Sequence, residues 1–100
     1  MTVFVLTLQQ TYYDHGFFNV TVEYDSYVRE REGPIHLVLG EEGEQTIDGR
    51  IDRHANQNGT ARIHGGPRLR AWFQAHFQVM EPVAVDLSSP DLIQLTHGDP

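Results

Sequence analysis

The sequence predicts an all-β fold: a seven-stranded open or pseudo β-barrel with one or two short helices, one of which plugs an end. Three observations carry this. Apolar and polar residues alternate at period two along most of the chain. The alternating runs are short and are separated by Gly, Pro, Asn and acidic turns. One segment alone, after Gly65-Gly66-Pro67, switches to a spacing of three and four. Closing such a sheet, or nearly closing it, removes edges that would otherwise pair with other chains. At 100 residues, 39% of them hydrophobic, the chain makes a single domain, residues 1–100, with one modest core.

The elements follow in order. Val3-Phe4-Val5-Leu6-Thr7-Leu8 is an apolar run of strand length, and Gln9 to Gly16 is a long polar-aromatic connection. Phe18, Val20, Val22 and Tyr24 alternate with Phe17, Asn19, Thr21 and Glu23, which predicts a strand through this region. Asp25 to Arg31 fits a short second helix with Asp25 or Ser26 as N-cap. Ile35, Leu37 and Leu39 form the next buried face; the turn Gly40-Glu41-Glu42-Gly43-Glu44 follows, then Ile47, Gly49 and Ile51 on the face opposite Asp48, Arg50 and Asp52. Pro67 suits the first position of the main helix, whose Leu69, Phe73 and Phe77 are expected to face the barrel. Trp72 beside them is expected to join the core. Val83, Val85 and Leu87 make the penultimate strand, and Leu92 to Thr96 the last.

Composition excludes more than it suggests. With no cysteine there is no disulfide, thiolate chemistry or cysteine-based zinc site. With no lysine there is no P-loop, Schiff-base lysine or acid-acid-lysine nuclease site. No HExxH, GxGxxG or GxSxG pattern occurs either, so the chain is not expected to be an enzyme or to need a cofactor. Six histidines, His15, His36, His54, His64, His76 and His97, raise the question of a metal. His54 and His64 are potential neighbours across a hairpin but lack an obvious third ligand, so scattered structural histidines are expected and no metal site. The opening apolar run is too short to span a bilayer and lacks the features of a signal peptide, so a cytoplasmic location is expected.

Charge is segregated along the chain, whose formal net charge is -7. From Gly49 to Gln78, Arg50, Arg53, Arg62, Arg68 and Arg70 face only Asp52, while the flanking segments are both acidic. A basic patch on an acidic body points to an anion-binding surface. Within it, Arg53-His54-Ala55-Asn56-Gln57-Asn58-Gly59-Thr60 reads as a polar hairpin. Asn56, Gln57 and Asn58 offer the donor–acceptor pairs that suit adenine, and Arg53 or Arg62 the fork that suits guanine. Asn58-Gly59 is also a favoured chain reversal, which explains those two residues without any ligand. Arg68 and Arg70 occupy the first turn of the main helix, where the helix dipole disfavours cations; they are expected to face an anion or a carboxylate.

The order of these pieces resembles a known family. The hairpin followed by Arg62-Ile63-His64-Gly65-Gly66-Pro67 and then Leu69-Arg70-Ala71-Trp72-Phe73, together with the strands on either side, is similar over residues 3–96 to the B3-like DNA-binding pseudobarrel. That fold is shared by plant B3 transcription-factor domains and the recognition domains of EcoRII-like and BfiI-like restriction endonucleases. The chain departs from it at Met80-Glu81-Pro82, where members often carry Gly-Asp.

The resemblance implies a protein that grips double-stranded DNA with two arms in the major groove, as the recognition part of a restriction or regulatory system. A nuclease domain or subunit would supply any cleavage. The first arm maps onto Gln9 to Phe18, with Gln10, Thr11, Tyr12, Tyr13 and His15 as contacts. The second maps onto Arg53 to Arg62, with Arg53, His54, Asn56, Gln57, Asn58, Thr60 and Arg62. Arg50, Arg68 and Arg70 complete the expected DNA-binding set. The alternative is a protein- or small-ligand-binding module that uses aromatics around Tyr12, Tyr13, Phe17 and Tyr24.

Overall fold

In the computed structural model, which describes residues 2–98, seven strands form one sheet curled into an open half-barrel. The strands are β1 (Val3–Thr7), β2 (Phe17–Asn19), β3 (Gly33–Leu39), β4 (Gln45–Asp52), β5 (Arg62–His64), β6 (Pro82–Ser89) and β7 (Leu92–His97), in the spatial order β1-β6-β7-β3-β4-β5-β2. All neighbours are antiparallel except β3 and β7. Short hairpin-type links join β3 to β4 and β6 to β7, and longer links carry the helices.

The period-two pattern fixes the inward face. Phe4, Leu6, Phe18, Ile35, Leu37, Leu39, Ile47, Ile51, Ile63, Val83, Val85, Leu87, Ile93 and Leu95 are all buried. Helix α2 (Gly66–His76) starts with proline in its first turn and lays Leu69, Trp72 and Phe73 into the core, with Phe77 just beyond it. The expected plug is therefore formed by Leu69, Phe73 and Phe77, with Trp72 in the core as its spacing implied.

Two local expectations are corrected. β2 stops at Asn19, and residues Val22–Tyr27 form a 3₁₀ helix that replaces both the tail of the expected strand and the helix expected over Asp25 to Arg31. Alternation could not reveal this, because Tyr24 packs on the core through its stacked ring on Phe4, at a centroid distance of 5.0 Å, while Val22 is 70% exposed. Asp25 is not a helix cap. Its carboxylate accepts the Ala61 N–H and the Arg53 guanidinium, and that long-range pairing pulls the chain out of the sheet. The connection after β1 is likewise not irregular. Gln10–His15 is a six-residue helix, α1, closed by Gly16 at φ +74°.

Gly16 also sets the position of α1. Its carbonyl accepts the N–H groups of both Gly65 and Gly66, at 2.9 and 3.2 Å. A Cβ on Gly16 would lie 2.3 Å from the Gly66 oxygen and 2.8 Å from the Arg70 nitrogen. Only glycine permits this approach, which places the start of α2 against the end of α1.

Candidate nucleic-acid interface

The pairing of β4, β5 and β2 builds a continuous outward surface. Ile51, Ile63 and Phe18 face the core, so the alternate residues face out. In register these are Arg50, His64 and Phe17 in one row, and Asp52, Arg62 and Asn19 in the next. α1 and the first turn of α2, with exposed Arg68 and Arg70, lie at one end of this surface. The β4–β5 hairpin lies at the other, where Val20 donates its N–H to the Ala61 carbonyl. The two expected arms thus flank a strip of strand. Gly16 to Val20 spans roughly 13 Å at the usual strand rise.

The hairpin is held by a dense polar network that assigns different work to its residues. Arg53 is only 15% exposed, and its guanidinium donates to both Asp25 carboxylate oxygens at 2.8 and 3.0 Å and to the Gly59, Val28 and Arg29 carbonyls. All of its bonding nitrogens point into the protein, so it is a structural clamp and not the guanine fork the sequence suggested. Thr60 is buried, and its hydroxyl donates to the Asn58 side-chain oxygen. Asn58 also accepts the Thr60 N–H, and Gly59, at φ +79°, donates to the Asn56 carbonyl. Asn58, Gly59 and Thr60 therefore shape the turn.

Arg62 is arranged differently. Its Nε donates to the Asn19 side-chain oxygen at 3.0 Å, one terminal nitrogen donates to Asn56 at 3.3 Å, and its Cζ lies over the Phe17 ring, 4.4 Å from the ring centroid. Asn56 donates back to Asn19 at 3.0 Å. Asn19, Asn56 and Phe17 hold the guanidinium in one orientation on the outward face, which leaves its other terminal nitrogen for a ligand. Gln57, at the tip, is exposed. Asn19 did not stand out in the sequence, and Phe17 entered only among the aromatics of the alternative module. The cue was that Asn19 sits on the outward parity of β2, but its partner is set by a cross-strand register that only the fold supplies.

On the first arm, Gln10, Thr11 and His15 are exposed, and Gln10 donates to Asp14. Tyr12 is buried in the core, with its ring edge-on to Phe17, so it supports the arm and does not contact a ligand. Tyr13 is partly buried against the core, and its carbonyl accepts from Gln74. Among the described residues, Arg31, Arg50, Arg62, Arg68 and Arg70 make no salt bridge with any acid, whereas Arg29 and Arg53 are paired.

His54 and His64 do not meet across the hairpin. His54 pairs with Glu32 at 2.9 Å and His64 with Asp52 at 3.3 Å. Glu32, Asp52 and His54 bring ligand-type atoms within 4.8 Å of one another, and these are the described residues nearest to metal-binding spacing. Their own hydrogen bonds account for the grouping. Glu32 accepts the Arg53 and His54 donors, and Asp52 accepts the His54 N–H.

Those bonds hold both carboxyls below their usual range: Glu32 chiefly through the Arg53 N–H and then His54, Asp52 chiefly through the His54 N–H. They raise His54, chiefly through the bond to Glu32. The lowered acids stabilise the hairpin root above their ordinary values of 4.5 and 3.8, and this is lost as pH falls through the lowered ones. The raised histidine contributes below its ordinary 6.5, and this is lost as pH rises through the raised value. The root is thus tightest between 4.5 and 6.5. An NMR titration of His54 should give a midpoint above 6.5 that returns to it in Glu32→Gln. A midpoint at or below 6.5 in the unaltered protein contradicts the pairing.

Among the described residues no helix is long and apolar enough to cross a membrane. Comparison of the chain with protein-family models, with curated proteins and with solved structures finds no match.

Proposed function

We propose that this domain binds double-stranded DNA in a sequence-dependent way, with α1 and the β4–β5 hairpin as two arms and the β2-β5-β4 strip between them. The observation that carries this reading is the strip itself. Four arginines without acidic partners among the described residues, Arg50, Arg62, Arg68 and Arg70, line a surface bounded by two exposed polar segments. Arg62, tied by Asn19, Asn56 and Phe17, keeps its free terminal nitrogen for a base edge such as guanine, and exposed Gln57 at the hairpin tip supplies an amide for an adenine edge. Arg50, Arg68 and Arg70 sit where phosphates would pass and carry no sequence information. A nuclease domain or subunit acting with this domain belongs to the same proposal, as does its role in a restriction or regulatory system. The small-ligand alternative needs an open barrel interior, and here that interior is filled by Phe18, Phe73, Leu37, Ile63 and Ile93.

The test is selection from a randomised duplex pool at about 50 mM salt, followed by affinities for the preferred site. Gln57→Ala should cost roughly 1 to 3 kcal/mol on the preferred site only, and should relax discrimination there. Arg68→Ala and Arg70→Ala should weaken all sequences alike. If no duplex is retained from the pool, the DNA reading fails. If Gln57→Ala weakens every site equally, DNA binding stands and the reading arm is misassigned.

A further inference from the structure

Residues of the hairpin and of the chain leaving β2 together line a shallow, open concavity. The hairpin contributes Asn56, Gln57 and Asn58 to its lining; Asn56 and Asn58 are engaged in bonds within the site, which leaves Gln57 as the free amide. Val22 and exposed Ala55 also line the hollow. Val22 is the most exposed large apolar residue among those described, at 70%, and it opens the 3₁₀ helix that Asp25 and Arg53 tie to the hairpin. A single exposed valine is ordinary. A valine that lines the same concavity as the exposed Gln57 amide has a definite complement, because the major-groove edge of an A·T pair presents the adenine N7 and N6 groups for an amide and, at its far side, the thymine C5-methyl.

We infer that Val22 is a specificity-determining residue that receives the C5-methyl group of a pyrimidine, while an amide of the hairpin reads the same base pair or its neighbour. The inference rests on the DNA reading above and adds a chemical class to it: a C5-methylated pyrimidine, whether thymine or 5-methylcytosine. Val22 suits the task because its position is set by backbone. The Thr21 carbonyl accepts the Tyr24 N–H, the Asp25 carbonyl accepts the Val28 N–H, and the Asp25 side chain holds Ala61. A methyl group docked on it gains buried apolar area without any rearrangement of the arm.

The experiment uses the whole chain and the preferred duplex recovered from the pool. Each thymine is replaced in turn by deoxyuridine, which removes only the methyl group, and each cytosine by 5-methylcytosine. At one position the methylated base should bind about fourfold more tightly than its unmethylated counterpart, the worth of one buried methyl-sized group. A thymine-to-uracil effect identifies thymine as the source, and a gain on cytosine methylation identifies 5-methylcytosine. Val22→Ser should erase that difference, with the thermal stability unchanged because the side chain is exposed. If no position responds to the methyl group, or Val22→Ser keeps the full response, the inference is overturned while DNA binding stands. If no duplex is bound at all, the DNA reading falls and takes this inference with it.

Discussion

Replacing Arg53 by alanine is expected to lower the stability of the domain by about 3 kcal/mol, because it breaks a partly buried ion pair and three carbonyl hydrogen bonds at once. For a domain of this size that is a fall in melting temperature on the order of 15 °C. The reason is what remains. Asp25, 25% exposed, would keep its negative charge with only the Ala61 N–H as a donor, and the Val28, Arg29 and Gly59 carbonyls would lose theirs. The 3₁₀ helix and the hairpin would be released together, because Arg53 is the link between them. Arg62→Ala removes a guanidinium from the outward face, where water can take over its hydrogen bonds, and should cost under about 1 kcal/mol. Thermal melts of the two variants side by side decide the matter. Equal, small losses would mean that Arg53 is a solvated surface arginine and that the clamp does not exist in solution.

The contrast between these two arginines shows where sequence reasoning reached and where it stopped. Alternation at Ile35-Leu37-Leu39, Ile47-Ile51 and Val83-Val85-Leu87 identified the inward faces, because a sheet with one buried side leaves a period-two trace in each strand by itself. The helix after Pro67 was equally legible from local spacing. Arg53 and Arg62 are indistinguishable at that level. Both flank the same polar hairpin, and only Asp25, 28 residues away, turns one of them inward. The same long-range pair ends β2 before Val22 and coils the segment that alternation had extended to Tyr24. α1 escaped notice because six residues carry too little periodicity to register, and its mark was the closing Gly16. Apart from α1, the features missed were set by a partner distant in sequence, and they are also ones that shape the candidate site.

Counting cations by the same logic leads to the expectation for salt. The basic segment contains five arginines, but Arg53 is already neutralised by Asp25, which leaves Arg50, Arg62, Arg68 and Arg70 for phosphates or bases. If all four meet phosphates, the logarithm of affinity should fall against the logarithm of salt with a slope of about -3.6. Raising salt from about 50 to 200 mM would then weaken binding roughly 150-fold. Should Arg62 fork onto a base and release no counterion, three phosphate contacts remain and the slope is about -2.7. Either value is modest for a DNA-binding protein, as befits an acidic body of formal charge -7. Arg50→Ala, Arg68→Ala and Arg70→Ala should each flatten the slope by about 0.9 on every sequence, whereas Gln57→Ala should leave it unchanged. Arg62 decides between the two values: on the preferred site, Arg62→Ala alters the slope if it binds phosphate and alters only discrimination if it reads guanine. A slope near zero would place the binding energy outside the arginine strip. An unchanged slope in all of Arg50→Ala, Arg68→Ala and Arg70→Ala would show that the duplex crosses some other face of the barrel.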